Sequence, residues 1–323
     1  MFIADLPESL RCGGGKGVNL YDVWLQILMY ADDGAIVAES AEDLQCMLDS
    51  LYLYCNKWRL IVNTAKTEIM IFNADCKKGL HKNVEFNFNN VPLRLVSESK
   101  YLGVIFHTSG KLNRMIAHRI EQGKRVLAAW KRRCQYWLFN GKMRIRLFKT
   151  CVLPAFEYSV NVWGSGLYKS NIWKEVESYW RYIAKYIAGV PCRTPTLAVY
   201  GDLGWLPFYV RAADQAVKFW VRVTKLNDDC LVRKAMHVQR DLVKSKPSCI
   251  CWLSKLRDTL CQTVCGHRFW NEWFFNDMNF RKICSRSVTT EVTKPFMVAW
   301  EDDFFNEFCK LESDKWSDSV NLV

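Results

Sequence analysis

An α+β fold is predicted, strands first and helices after. Three observations carry it. Short apolar runs separated by turn residues fill most of the first 110 residues. One amphipathic helix is set among them. From Leu112 onward the apolar spacing becomes helical.

In chain order, Gly13-Gly14-Gly15-Lys16-Gly17 is a loop. It lacks the spacing, and the Lys followed by Ser or Thr, of a phosphate-cradling P-loop. Leu25-Gln26-Ile27-Leu28-Met29 and Ala35-Ile36-Val37-Ala38 read as buried strands on either side of Tyr30-Ala31-Asp32-Asp33, with Asp33-Gly34 as the hairpin turn. Ser40 is placed to cap a helix, and Asp43, three residues on, completes an approximate capping box. Leu44, Met47, Leu48, Leu51, Cys55 and Trp58 then share one face. Ile69 to Phe72 is a strand. Val84, Phe86 and Phe88 alternate, Asn89-Asn90 turns, and Val91 to Val96 returns as a second hairpin. Lys100 to Phe106 is a further strand.

Two basic helices are expected over 111–138 and 142–160, the second kinked or ended by Pro154. A third runs from Ile172 to Ile187 and stops at Gly189 and Pro191. Leu197 to Lys225, interrupted by Gly201, Gly204 and Pro207, reads as helix–turn–helix. The polar stretch 227–247 reads as a linker, with helix beyond it.

Half of the 323 residues are apolar and the net charge is +12, which favours a polyanionic partner. The charge is unevenly spread. Residues 111–149 hold twelve Lys and Arg against the single acid Glu121, whereas the first 60 hold nine acids against four bases. Fourteen cysteines in a chain this rich in core residues read as reduced, buried thiols of an intracellular protein of cytoplasm or nucleus. No signal peptide and no membrane-length apolar run are visible. Cys249, Cys251, Cys261, Cys265 and His267 depart from zinc-knuckle spacing and lie among leucines at helical intervals, so zinc is not expected.

Asp32 and Asp33 concentrate negative charge at a hairpin tip. Asp-Asp-Gly is also ordinary turn chemistry. The alternative is a hard divalent cation held between carboxylates and substrate phosphates, as in two-metal nucleotidyl transfer. The motifs downstream of the pair favour the cation. After the hairpin and helix come Trp58-x-Leu60-x-x-Asn63-x-x-Lys66-Thr67, a strand, and Lys100-Tyr101-Leu102-Gly103-Val104. This order and spacing resemble the reverse transcriptases of non-LTR (LINE-type) retrotransposons, most clearly over residues 20–165.

The resemblance implies a partial polymerase palm over 1–110, a basic helical thumb over 111–190 and a mostly helical C-terminal region over 191–323. It implies that Asp32 and Asp33 serve a Mg²⁺ site, that Lys66 protonates the departing pyrophosphate, and that Tyr30 lies near the primer end. Trp58 and Leu60 would be core anchors and Asn63 a turn. Tyr101, Leu102 and Gly103 resemble a primer-grip hairpin, whose bland reading is a plain buried strand. Lys124, Arg125, Lys131, Arg132 and Arg133 fall on the thumb, which contacts phosphate without reading sequence. Trp130, Tyr136 and Trp137 interleave with them and suit either stacking on bases or, the favoured reading, the core.

The implied partners are an RNA template, a DNA primer or RNA–DNA hybrid, and deoxynucleoside triphosphates. The family's first palm aspartate and fingers lie upstream of the hairpin. Asp5, Glu8 and Asp22 are the only earlier acids, and none has the expected flanks, so the chain is expected to begin in mid-palm and not to polymerise DNA alone. The competing expectations are a non-catalytic protein that grips RNA or RNA–DNA hybrid, and a relic without selected function.

Overall fold

The computed structural model describes residues 3–72, 84–133, 139–165, 172–260 and Trp270. The chain divides into two compact units, Met1–His118 and Arg119–Val323. Mixed strand and helix, segregated along the chain, make the fold α+β.

The first unit contains α1 (Leu6–Cys12), β1 (Val18–Leu20), β2 (Val23–Leu25), β3 (Ile27–Tyr30), β4 (Asp33–Ile36), α2 (Ala41–Trp58), β5 (Glu68–Ile69), β6 (Asn87–Phe88), β7 (Val91–Pro92), β8 (Arg94–Leu95), β9 (Glu98–Tyr101) and β10 (Val104–His107). The strands form two-stranded ribbons. β1–β2, β3–β4, β6–β7 and β9–β10 are antiparallel, and β5–β8 is parallel.

Helix α2 organises this unit. Ser40 Oγ accepts the Asp43 amide at 3.1 Å and donates to Asp43 Oδ2 at 2.7 Å, so the expected cap forms. Its partners hold the Asp43 carboxyl below its ordinary range, the Lys16 amide foremost and Ser40 next. Arg59, in the left-handed region at φ 54°, ends the helix. One side of α2 packs Leu48 with Ile69, Phe86, Phe88 and Leu93. Met47 and Tyr54 pack with Leu6 and Leu10, and Ile27, Met29 and Ile36 close on that cluster. Each such burial contributes roughly 1.5–3 kcal/mol. The glycine loop serves packing: a Cβ on Gly17 would sit 2.0 Å from the Leu25 carbonyl oxygen.

The strands depart from the sequence expectations at several points. The first hairpin turns at Ala31-Asp32, because Tyr30 pairs with Asp33. Gly34 faces Met29 across the ribbon, and a Cβ there would meet Met29 Sδ at 3.0 Å. Its glycine therefore serves close packing rather than the turn. The run 25–29 breaks at Gln26, which is buried and donates to the Gly15 carbonyl at 2.7 Å. Residues 100–106 form the corner of the β9–β10 hairpin rather than one strand. Leu102 (φ 47°) and Gly103 (φ 77°) both take positive φ, as a type I′ turn requires. The expected strand 69–72 is the short β5. The second hairpin turns at Asn89 and Asn90 as expected, both at positive φ.

Trp58 (46% exposed) and Leu60 (40% exposed) are not core anchors: Trp58 ends α2 on its solvent side, and the left-handed Arg59 then turns the chain outward at Leu60. Among the described cysteines only Cys55 is buried. Cys12, Cys151 and Cys192 are exposed, on the solvent side of their segments.

The described elements from Asn113 onward are α3 (Asn113–Arg133), α4 (Gly141–Leu147), a π-helical turn (Phe148–Val152), α5 (Leu153–Glu157), α6 (Val160–Trp163), α7 (Trp173–Ala188), α8 (Thr196–Leu203), α9 (Phe208–Thr224), α10 (Leu231–Ser245) and α11 (Trp252–Leu260). The helix expected over 142–160 is thus four pieces. Pro154 lacks the amide that would continue the ladder, and the chain inserts a π turn just before it, closed by Leu153 N–H to the Phe148 carbonyl. Ser159 (φ 59°) then separates α5 from α6.

The second unit's core is aromatic. Phe156 lies 4.6 Å from Phe208, Trp180 stacks on Trp205 at 4.7 Å, and Phe148 and Trp163 are fully buried beside them. Gly189 (φ 73°) caps α7 as expected. The polar stretch 227–247 is not a linker but mostly α10. Arg233 is wholly buried there, donating to the Thr224 carbonyl at 2.8 Å and to Asp228 at 3.2 Å. A charged residue whose head group is satisfied and whose stem is apolar can face a core, which composition alone disguises. No helix among the described residues is long and apolar enough to cross a membrane.

Candidate active site

The period-2 alternation of β3 sends Ile27 and Met29 into the α1–α2 cluster and leaves Leu28 and Tyr30 outward. The inner side chains therefore hold the ribbon while its tip stays open. Tyr30 is 67% exposed, and Asp32 and Asp33 are exposed beside it. Neither carboxylate forms a hydrogen bond or ion pair with a described residue. Ala31, between Tyr30 and Asp32, sits at φ 53°, a strained conformation for a residue with a Cβ.

The second hairpin meets the first through Tyr101. Its hydroxyl donates to the Leu28 carbonyl at 3.3 Å. Burial, and then the negative charge of Asp33, push the phenol above its ordinary pKa. The structure thus brings Tyr101 to the acidic ribbon, with Leu102 (36% exposed) and Gly103 at the neighbouring turn.

Lys66 lies on the loop after α2, exposed. Asn63 builds that loop: its carbonyl accepts the amides of Lys66 and Thr67, each at 3.0 Å, and its Oδ1 accepts Lys66 N–H at 3.2 Å. The turn expected at Asn63 is present. No hydrogen bond or ion pair joins Lys66 to the acidic pair.

Asp5 accepts a 2.5 Å hydrogen bond from Tyr54, whose pKa burial and Asp5 raise to about 12. That carboxylate is engaged in joining α1 to α2. Among the described residues no group of three His, Cys, Asp or Glu could hold a metal ion. Two adjacent, unpaired carboxylates still fit a hard divalent cation whose remaining ligands are water and phosphate.

On α3 the basic residues are not equivalent. Lys124 is exposed with its ammonium 5.7 Å from the Tyr179 ring centre. Arg125 pairs with Glu121 at 2.5 Å. Lys131 donates to Tyr182 Oη at 2.5 Å and lies 3.6 Å from the Tyr186 ring centre. Arg132 is exposed, and Arg133 is on the helix with its side chain outside the description. Trp130 is buried against Tyr186, the core role favoured for it, while Tyr136 and Trp137 lie outside the described residues, as do Cys261, Cys265 and His267. Sequence reasoning does not find Tyr179, Tyr182 and Tyr186 as partners of these lysines. Their i, i+3, i+7 spacing in α7 is the available signal.

The family model described as reverse transcriptase (RNA-dependent DNA polymerase) matches residues 5–106. A probable RNA-directed DNA polymerase from transposon BS of Drosophila melanogaster is 29% identical over 190 residues, covering 53% of this chain. The chain spans 19% of that relative's length. No solved structure matches it. Reverse transcriptases bind a nucleic-acid template and generally use divalent metal ions. Over residues 5–106, a stretch that includes the acidic hairpin, the chain is thus similar to reverse transcriptases, among them one carried by a transposon.

Proposed function

We propose that the chain contributes to RNA-directed DNA synthesis, with residues 1–110 as the part of a palm that bears the acidic pair, 111–190 as a thumb and 191–323 as a helical extension. Asp32 and Asp33 would hold Mg²⁺ together with the phosphates of a deoxynucleoside triphosphate. The bound cation would stabilise charge on the attacking and leaving oxygens.

Lys66, exposed on its Asn63-built turn, has the chemistry to give a proton to departing pyrophosphate. Tyr30 and the Tyr101-Leu102-Gly103 corner would meet the DNA primer, and Lys124, Arg125, Lys131, Arg132 and Arg133 the phosphates of an RNA–DNA hybrid.

The observation that supports this reading most is the acidic pair. It is exposed and free of counter-ions among the described residues, on a ribbon pinned from behind by the core and from the side by Tyr101. With two carboxylates and no third among the described residues, metal affinity should be weak until nucleotide and hybrid supply further oxygens. The test is binding of a primer–template hybrid to the full chain with Mg²⁺ and the matching nucleotide. Tightening by Mg²⁺ plus nucleotide is expected, and is lost in Asp32→Asn with Asp33→Asn. Unchanged Mg²⁺ dependence in that variant overturns the assignment of the pair.

A further inference from the structure

Cys249 and Cys251 hold their sulfur atoms 3.9 Å apart, in direct thiol contact. The loop between α10 and α11 brings them together. It turns at Lys246, whose carbonyl accepts the Cys249 amide at 2.9 Å. Ile250 is 84% exposed, whereas the cysteines on either side of it are half-buried, so the two thiols share the inner side of the loop. Residues 246–248 are exposed too, which leaves the pair within reach of a small molecule.

Cys251 stands just before α11 and is fixed there. Its amide donates to Ser254 Oγ at 3.0 Å, and Ser254 Oγ donates to its carbonyl at 2.9 Å. The next two residues are tied to other helices. Trp252 Nε1 donates to the Asn161 carbonyl of α6 at 2.9 Å, and the Leu253 amide to Gln239 Oε1 of α10 at 3.2 Å.

The two thiols are not equivalent. Burial, and then the Cys251 sulfur, push the Cys249 thiol above its ordinary pKa. Cys251 Sγ accepts the Ser254 amide at 3.4 Å, and the Lys255 ammonium interacts with it. Donors and cations beside a sulfur favour the thiolate, the form that attacks a disulfide. The nearby carboxylate, Asp258, is paired with Arg257 at 3.1 Å.

We propose that Cys249 and Cys251 form a thiol–disulfide exchange site, oxidised reversibly by a low-molecular-weight disulfide of the glutathione class. The Cys251 thiolate attacks one sulfur of that disulfide. Its S–S bond breaks, one glutathione leaves as a thiolate, and Cys251 carries the other as a mixed disulfide. Cys249 gives its proton to the departing thiolate and attacks the Cys251 sulfur. The second glutathione leaves as a thiolate, takes a proton from solvent, and the Cys249–Cys251 bond forms. Two electrons pass from the protein thiols to the glutathione sulfurs. A disulfide on an exposed loop is readily reduced, which suits a reversible site.

The experiment equilibrates the full chain in glutathione buffers of rising oxidised fraction, quenches with acid, alkylates free thiols and maps tryptic peptides by mass. Both cysteines fall on the peptide of residues 245–255. In the wild-type chain this peptide is expected to become lighter by two hydrogens and closed to alkylation, and reduced glutathione should restore both thiols. Cys249→Ser is expected to stop with glutathione on Cys251, and Cys251→Ser to lose most of the modification of this peptide. The wild-type arm depends on no variant. A wild-type peptide that stays alkylated at both positions while the exposed Cys12 and Cys192 take up glutathione overturns the site. So does a wild-type peptide that ends as a stable mixed disulfide, or one that joins another peptide. Equal glutathione uptake by the two single variants overturns the assignment of Cys251 as the attacking sulfur.

Discussion

Tyr101 reaches a residue 73 positions earlier, donating to the Leu28 carbonyl at 3.3 Å. The bond ties the corner of the β9–β10 hairpin to the ribbon that carries Asp32 and Asp33. Neither hairpin holds the other through strand pairing, so this side chain is a specific link between two motifs that sequence spacing could only place in order. Tyr101→Phe removes the bond and keeps the ring. A loss of about 1 kcal/mol is expected in urea denaturation, and an unchanged midpoint would show that the link carries no weight.

Ala31 occupies φ 53° at the tip of the acidic ribbon. Glycine reaches that region without steric cost. Ala31→Gly is expected to stabilise the chain by about 0.5–1 kcal/mol, the relief of strain outweighing the added freedom of the unfolded chain. The thermal midpoint reads this, and a fall would mean that the turn is not strained.

Glu177 caps a helix to which it does not belong. Its Oε1 accepts the Tyr209 amide at 3.0 Å, at the start of α9, where the capping position is Pro207 and has no side-chain donor or acceptor. Burial raises its pKa from 4.5 to about 7, partly offset by hydrogen bonds from the backbone. The folded chain thus keeps a proton that the unfolded chain releases. This contribution to stability is complete below about pH 4.5, is lost as pH rises toward about 7, and stays lost above. Glu177→Gln should remove that slope and exceed wild type above pH 7 by up to on the order of 3 kcal/mol. Parallel stability–pH curves for the two proteins would contradict the raised pKa.

Lys131 and Arg132 are neighbours with different roles. Lys131 lies against Tyr182 and Tyr186, whereas Arg132 is exposed. Arg132→Ala should weaken hybrid binding uniformly across sequences, reduce the slope of log K against log salt by about 0.9, and leave stability unchanged. Lys131→Ala should in addition lower stability by about 0.5–2 kcal/mol through the lost cation–π contact. An unaltered salt slope in Arg132→Ala would remove that residue from the phosphate contacts.

What the chain's own pattern determined was local. The Ser40 cap, the helix behind Leu44 to Cys55, the Asn89-Asn90 turn, the Gly189 stop and the order of motifs around Tyr30-Ala31-Asp32-Asp33 all depend on neighbours within a few residues, where steric and hydrogen-bond rules act directly. Tertiary structure decided the rest. It moved the acidic turn to Ala31-Asp32, because Gly34 serves Met29 across the ribbon. It left Trp58 and Leu60 exposed on either side of a left-handed Arg59. It made a helix of the polar stretch after Asp228, because the Arg233 head group finds the Thr224 carbonyl. It also left Asp214 Oδ1 buried with no hydrogen-bond partner among the described residues. Each of these depends on which atoms meet once the chain has folded, and composition or period carries no record of that.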